Sequence, residues 1–108
     1  MMRIVLSTMD DVHTARELAT TLVNRKLAAC VNIIPSVWSV YHWQGTVEKA
    51  VENLLILKTS EGRLDELVAA LRELHPYDLP EIVALPVETA LPEYLRWVEE
   101  ATGSGTSQ

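Results

Sequence analysis

Residues 27–59 constrain this chain most, because they form two long apolar-rich runs that meet at Gln44-Gly45. The runs read LAACVNIIPSVWSVYHW and TVEKAVENLLILKT. A Gln-Gly pair between two strand-like runs predicts a tight turn, so we interpret the stretch as one β-hairpin. At ~3.3 Å per strand residue its first arm, 28–43, reaches about 50 Å, whereas a compact domain of about 100 residues is roughly 34 Å across. The hairpin is therefore expected to extend beyond its own domain.

The distal part of the hairpin carries apolar side chains on both faces. Val37, Tyr41 and Trp43 fall on one face, and Trp38 and Val40 fall on the other. One small domain covers only one face of such a ribbon, so the second face needs another cover. The simplest cover is another copy of the same chain. The sequence therefore predicts a homo-oligomer.

Pro35 predicts where the first arm lies in the sheet. Proline cannot donate to a strand ladder, so it belongs on an edge strand or at a bulge. The apolar phase also shifts there, from Val31 and Ile33 to Trp38 and Val40, as a one-residue bulge would produce. We expect an edge strand that bends at Pro35. A long apolar edge is normally covered, which also favours an oligomer.

Apolar periodicity predicts two further strands and three helices around the hairpin. In order they are strand 3–7, a helix capped by Asp10, a helix that follows Ser60 and ends before Pro76, strand 81–87 and a helix opened by Pro92. This βαββαβ order with an extra C-terminal helix indicates an α+β, ferredoxin-like antiparallel sheet with both main helices on one face. The expected strand order is 4-1-3-2. We assign residues 1–102 to a single domain and residues 103–108 to a disordered tail.

Composition excludes several kinds of partner. Nine Lys and Arg against fifteen Asp and Glu give a net charge of -6, which argues against binding of nucleic-acid phosphates. The single cysteine, Cys30, excludes an intrachain disulfide and fits a reducing compartment. The N-terminus has the pattern of neither a secretion signal nor a membrane span. We expect a soluble cytoplasmic protein with no nucleic-acid or membrane partner.

Activities that occur on this fold require sites that this sequence lacks. The loop 7–11 carries two carboxylates and no Gly or Arg, so it is no phosphate cradle of the acylphosphatase kind. The chain has no Phe and a negative balance, unlike an RNA-recognition sheet. The tight Gln44-Gly45 turn leaves no room for the long loop of PII-type signalling proteins. No Ser/His/Asp order, lysine nucleophile or Gly-rich nucleotide loop is evident, so we expect neither an enzyme nor an organic cofactor.

Soft metal ligands are present without a ligand spacing. They are Cys30 and the histidines His13, His42 and His75, and none forms a pattern such as HExxH. Any metal site would have to be assembled in three dimensions. The commoner interpretation of Cys30 is a small apolar side chain in a buried strand, and that of His75 is a histidine that bonds carbonyls at a helix end.

Glu48 and Glu52 have the same strand parity. Four strand residues separate them by ~13 Å, too far for one ion to bind both within one chain. The alternative is that these charges lie at a rim or are paired across a subunit interface.

Five segments, in this order and spacing, resemble the CutA divalent-cation tolerance family. They are LAACVNIIP, SVYHWQG, LLILKT, HPYDLPEIVALPV and EYLRWV. The most specific combination is LAAC, the WxG turn, and HPY followed by PEI, and the match runs from residue 3 to about 102. The resemblance implies a ferredoxin-like subunit in a compact homotrimer whose long hairpins pack across subunits. It also implies a link to tolerance of divalent metals, chiefly copper.

The resemblance also implies which residues form the site. The cysteine of LAAC is Cys30 and the histidine of HPY is His75, and these are the candidate metal ligands. Ser7 stands where some family members have a cysteine, which favours a weaker site richer in nitrogen and oxygen ligands. The cleft or interface residues are expected to be Trp38, Tyr41, Trp43, Glu48, Glu52, Tyr77 and Glu81.

These observations lead to a functional prediction with two alternatives. We expect a non-catalytic, cytoplasmic homotrimer that binds copper or another divalent cation weakly near inter-subunit clefts. One alternative is a trimeric, PII-like sensor of a small organic or anionic ligand. The other is a purely structural interaction protein.

Overall fold

Four antiparallel strands and three α-helices make up the fold in the computed structural model, which describes residues 1–103. The elements are β1 (Met2–Met9), α1 (Val12–Asn24), β2 (Cys30–Trp43), β3 (Thr46–Ser60), a 3-10 turn (Glu61–Arg63), α2 (Leu64–Leu74), β4 (Val83–Pro86) and α3 (Pro92–Thr102). The sheet order is β2-β3-β1-β4, which is the predicted order. The α+β, ferredoxin-like prediction is confirmed, and β2 lies at the edge where Pro35 placed it.

One face of the sheet, the helical face, is covered by α1 and α2. Val5 and Met9 of β1 and Leu55 and Leu57 of β3 point to this face and are buried. The helices contribute Ala15, Leu18, Leu22, Leu67 and Leu71 to the same core. These helix residues recur with the period of an amphipathic helix, and the strand residues recur every second position. Both sets of side chains therefore point into the same core.

The opposite face, the α3 face, has a smaller core. Val98 of α3 is fully buried and packs with Met2 and Ala29. Lys58 of β3 lies on this face with its ammonium 5.9 Å from the centre of the Tyr94 ring. The last helix therefore covers only part of the face that α1 and α2 leave open.

The hairpin extends the molecule along one axis. The principal extents are 48, 26 and 21 Å, so the predicted overshoot is confirmed. Gln44 and Gly45 both have positive φ, at 50° and 81°, which is the geometry of a two-residue type I′ turn. The β2–β3 register shifts between Ile34 and Val37, and Ser36 has a φ of 62°. The bulge expected at Pro35 is confirmed. We call residues 37–52, beyond the bulge, the arm.

The first helix begins one residue later than expected. The sequence placed the N-cap at Asp10, but Asp11 is the cap and accepts hydrogen bonds from the backbone N–H and the hydroxyl of Thr14. Thr14 is three residues beyond Asp11. The backbone N–H at that position has no partner within the helix, and a capping carboxylate can accept from it. Asp10 instead uses its carbonyl, which accepts from Asn53 Nδ2 at 3.3 Å.

The second helix and the last strand also differ from expectation. Ser60 precedes a 3-10 turn with no capping bond from its side chain, because its hydroxyl lies 3.0 Å from that of Thr102. The strand expected over 81–87 is limited to Val83–Pro86. The pairing with β1 ends where Val83 is opposite Leu6. The two residues before Val83 follow Pro80, which has no N–H to donate to a ladder.

The described chain ends just after α3. Gly103 is the C-cap, in the left-handed conformation that favours glycine. Apart from Gly103, the predicted tail 103–108 lies outside the described residues. Within residues 1–103, no helix has the length and apolarity needed to cross a membrane.

Candidate functional site

A cleft of about 720 Å³ lies between the arm and the loop that follows α2. The arm contributes aromatic, small and acidic side chains, and the loop contributes Tyr77 together with acidic and apolar ones. The lining residues are Thr8, Trp38, Ser39, Val40, Tyr41, Trp43, Glu52, Tyr77, Asp78, Leu79 and Glu81. The cleft thus contains side chains that are far apart in sequence, and their approach depends on how the loop is fixed.

His75 fixes the beginning of this loop. Its side chain is buried, with Nε2 2.8 Å from the backbone oxygen of Thr8. The backbone N–H of Tyr77 donates to Nδ1 at 3.0 Å. Because Nδ1 is an acceptor, Nε2 carries the proton and donates to Thr8. Both ring nitrogens are therefore used, and the neutral imidazole joins the loop to the end of β1.

Glu52 is the buried acid of the cleft. Its side chain is only 7% exposed, and the Tyr77 hydroxyl donates to Glu52 Oε2 at 2.8 Å. None of the ion pairs within residues 1–103 includes Glu52. The Tyr77 ring also contacts the His75 ring edge-on, with centres 4.8 Å apart. The carboxylate is thus positioned by a neutral donor and has no cationic partner in the described chain.

The Tyr77 phenol remains a hydrogen-bond donor across the ordinary pH range. Burial raises the pKa of Tyr77, and the Glu52 carboxylate that accepts its proton raises it further. Both effects disfavour a tyrosinate beside a carboxylate. The Tyr77 hydroxyl therefore stays protonated and available to donate to Glu52.

The two candidate metal ligands, Cys30 and His75, lie apart within one chain. Cys30 is opposite Lys58 at the base of the hairpin, whereas Thr8, which His75 contacts, is opposite Leu54. Four residues along the strands and two inter-strand spacings separate these points by roughly 16 Å. The half-buried Cys30 has its Sγ 3.8 Å from Asn32 Oδ1. No group of three His, Cys, Asp or Glu suited to a metal ion occurs in residues 1–103.

The expected cleft and interface residues divide into two groups. Trp38, Tyr41, Trp43, Glu52, Tyr77 and Glu81 line the cleft. Glu48 is exposed and does not line it, although its cross-strand partner Tyr41 does. The sequence interpretation missed Asp78, although its position in the HPYDLPE loop beside Tyr77 was the available signal.

Ser7 is unusual among the buried polar residues. Its side chain is completely buried, and its Oγ has no hydrogen-bond partner among residues 1–103. Ser7 lies opposite Leu55 in the β1–β3 ladder, away from the cleft lining. The position that the resemblance singled out as a cysteine in some relatives is therefore a core position in this chain.

The fold and the cleft define a class of protein, a ferredoxin-like domain with a long β-arm and a ligand-sized cleft at its side. Residues 3–101 match the family described as CutA1 divalent ion tolerance protein. The chain belongs to this family, which confirms the resemblance seen in the sequence motifs.

Individual relatives support the same assignment. The divalent-cation tolerance protein CutA of Thermus thermophilus is 46% identical over 103 residues, covering 95% of this chain and 100% of the relative. Protein CutA of Mus musculus is 41% identical over 97 residues, covering 90% of this chain but only 55% of the mouse protein. A solved structure of the divalent cation tolerance protein (Cut A1) from Thermus thermophilus has a TM-score of 0.91 at 46% identity, with 95% of this chain and 100% of that one covered.

Proposed function

We propose that this chain is a non-catalytic, cytoplasmic, homotrimeric divalent-cation tolerance protein that binds divalent metal, chiefly copper, weakly near inter-subunit clefts. Membership of the CutA family supports the tolerance role. The observation that carries the assembly is the uncovered arm. The free, half-buried thiol of Cys30 fits a reducing compartment.

The arm and the sheet edges support association of copies. Trp38 is 69% exposed and Val51, opposite it, is 55% exposed. The two edge strands, β2 and β4, differ from each other, and every residue of β4 is exposed. Two different open edges on one chain suit a head-to-tail contact, the kind that forms a ring when the rotation between copies closes. The family resemblance favours three subunits.

The donor set of one chain does not fit a metal ion. Cys30 lies roughly 16 Å along the sheet from Thr8, the residue that His75 contacts, and both nitrogens of His75 already have hydrogen-bond partners. A metal site would therefore combine donors from different copies, and binding at His75 would require one of its hydrogen bonds to break. Both conditions favour weak binding.

Copper titration of the assembled protein tests this proposal. We expect weak, saturable Cu²⁺ binding by calorimetry, reduced in Cys30→Ala and in His75→Ala. His13→Ala is the control, because His13 lies on the exposed side of α1. Unchanged affinity in both test variants would refute the assigned ligands, and a monomeric mass at micromolar concentration would refute the assembly.

The cleft supports a second candidate function, a trimeric, PII-like sensor of a small organic ligand. Its volume of about 720 Å³ lies within the range of small-molecule sites. If the chain is such a sensor, an organic ligand should raise the stability of the protein in the absence of copper. A purely structural interaction protein would respond to neither.

A further inference from the structure

The charge of the cleft selects the sign of its ligand. Glu52, Asp78 and Glu81 line it, and no lysine, arginine or histidine of the described chain does so. The whole chain is acidic as well, with a net charge of -6. A concave site lined by one sign of charge attracts counter-ions and repels ions of its own sign. The cleft therefore favours a cation over the anionic ligand that the sequence left open.

The acids of the cleft are too dispersed for an inorganic ion. Divalent metals need several ligands converging within about 2.6 Å of one point. Residues 1–103 contain no such group of His, Cys, Asp or Glu. A cation whose charge is spread over an organic framework does not need converging ligands, and it would also use the volume of about 720 Å³.

Aromatic rings supply the second feature of an organic-cation site. Tyr41 and Trp43 of the arm line the cleft together with Tyr77 of the loop. The faces of Trp and Tyr attract ammonium groups, and their apolar surface contacts the alkyl substituents. Rings beside carboxylates accommodate both parts of an alkylammonium ion.

Glu52 is suited to be the anchor of such a ligand. It is nearly fully buried, and the Tyr77 hydroxyl is the donor that holds it. A buried carboxylate without a cationic partner is costly, and a bound cation would remove that cost. His75 fixes the backbone of Tyr77, so the acid and the ring are held in position before the ligand arrives.

From these features we infer that the cleft binds a small organic ammonium cation, with its charge against Glu52 and its alkyl groups against the rings of the arm. This inference deepens the small-ligand sensor proposed above by assigning the ligand class. It is independent of copper binding, because Cys30 and His75 do not line the cleft.

The experiment compares cations with a neutral molecule of the same shape. The assembled protein is titrated by calorimetry with choline, with spermidine and with 3,3-dimethylbutan-1-ol, the uncharged isostere of choline. We expect saturable binding of at least one cation and binding of the alcohol that is weaker by about tenfold or more. Failure of both cations to bind, or equal binding of choline and the alcohol, would overturn the inference.

Matched variants place the site. Glu52→Gln keeps an oxygen acceptor for Tyr77 but removes the charge, and it should weaken the bound cation by about tenfold. Trp43→Leu should weaken it several-fold. Glu48→Gln removes an acid of the same arm that does not line the cleft, and should have a much smaller effect than Glu52→Gln. Equal loss in Glu48→Gln and Glu52→Gln would refute the assignment to this cleft.

Two further readouts separate this inference from the metal proposal. The oligomeric mass of each variant is measured first, so that loss of assembly is not mistaken for loss of the site. Cys30→Ala should lower copper affinity and leave cation binding unchanged, whereas Glu52→Gln should lower cation binding. Joint loss of copper and ammonium binding in Cys30→Ala would contradict a separate organic-cation site.

Discussion

Trp38 and Val51 lie opposite each other across the arm, and both side chains are more than half exposed. Val51 has the same strand parity as Leu55 and Leu57, so it points to the helical face. It lies beyond the part of that face that forms the core. The described chain provides no cover for this pair. Another copy would bury it, and the pair is therefore the most direct test of assembly.

Trp38→Ala should weaken the trimer. Full burial of a Trp stabilises an interface by about 2–3 kcal/mol per copy, and truncation adds a cavity cost. Sedimentation velocity over a concentration series measures the shift towards smaller species, and calorimetry measures the fall in Tm. Val23→Ala on α1 is the control for loss of an exposed apolar side chain. An unchanged trimer with unchanged melting would count against an arm-mediated assembly.

His75→Ala should destabilise the fold independently of any metal. The change leaves the Thr8 carbonyl and the Tyr77 amide without their imidazole partner. Each such group costs about 1–3 kcal/mol when it is left unpaired in a buried position. Urea unfolding in the presence of a chelator measures the loss, with the exposed His13→Ala as the control. Equal stability of both variants would show that the imidazole does not hold the loop.

Tyr77→Phe should change stability most at neutral pH and progressively less at alkaline pH. The pKa of Tyr77 is raised by burial and by Glu52, so the folded state retains the proton longer than the unfolded chain does. Its contribution is complete below the ordinary tyrosine pKa of about 10 and is lost as pH rises from there through the folded pKa.

Unfolding of Tyr77→Phe and wild type should be compared at several pH values. At neutral pH the variant should be less stable by about 2 kcal/mol, the value of a hydrogen bond to a charged group. The difference should shrink as pH rises above about 10. Tyr94→Phe is the control, since Tyr94 lies on α3, away from Glu52. A difference that is constant with pH would contradict the raised pKa.

Asp11→Ala should lower the Tm at neutral pH because it removes the N-cap of α1. Hydrogen bonds from the hydroxyl and then from the backbone N–H of Thr14 lower the pKa of Asp11. A lowered pKa contributes stability above the ordinary value of about 3.9, and this contribution is lost as pH falls through the folded pKa. Thermal melts between pH 7 and pH 2 check the trend. Asp10→Ala is the control, and an equal effect of both changes would argue against Asp11 as the cap.

Most of the backbone could be predicted from local pattern. The turn at Gln44-Gly45, the bulge at Pro35 and the edge position of β2 follow from steric and hydrogen-bonding properties of those residues themselves. The cap was placed one residue early because Asp10 and Asp11 are chemically equivalent, and the position of Thr14 decides between them. Such a choice needs the helix register, which periodicity alone does not define to one residue.

The site was less predictable because it depends on tertiary contacts. Glu52 and Tyr77 were both expected near a cleft, but their hydrogen bond depends on how His75 fixes the loop to Thr8. Motif likeness placed Cys30 and His75 in one site, whereas the ladder registers separate them within a chain. The order of the motifs along the chain does not reveal the distance between Cys30 and the residue that His75 contacts. That distance depends on which residues of neighbouring strands are paired.

The bulge joins two strand alignments that are incompatible without it. Near the core Cys30 lies opposite Lys58, and that alignment continued to the tip would place Trp43 opposite Gly45, leaving too short a connection. The additional residue at the bulge brings Trp43 opposite Thr46, so that a two-residue turn fits. The strand register of the arm is therefore set independently of the register in the core. Its length could change by whole cross-strand pairs, and so set how far the arm reaches from its domain, without moving any residue of the core out of alignment.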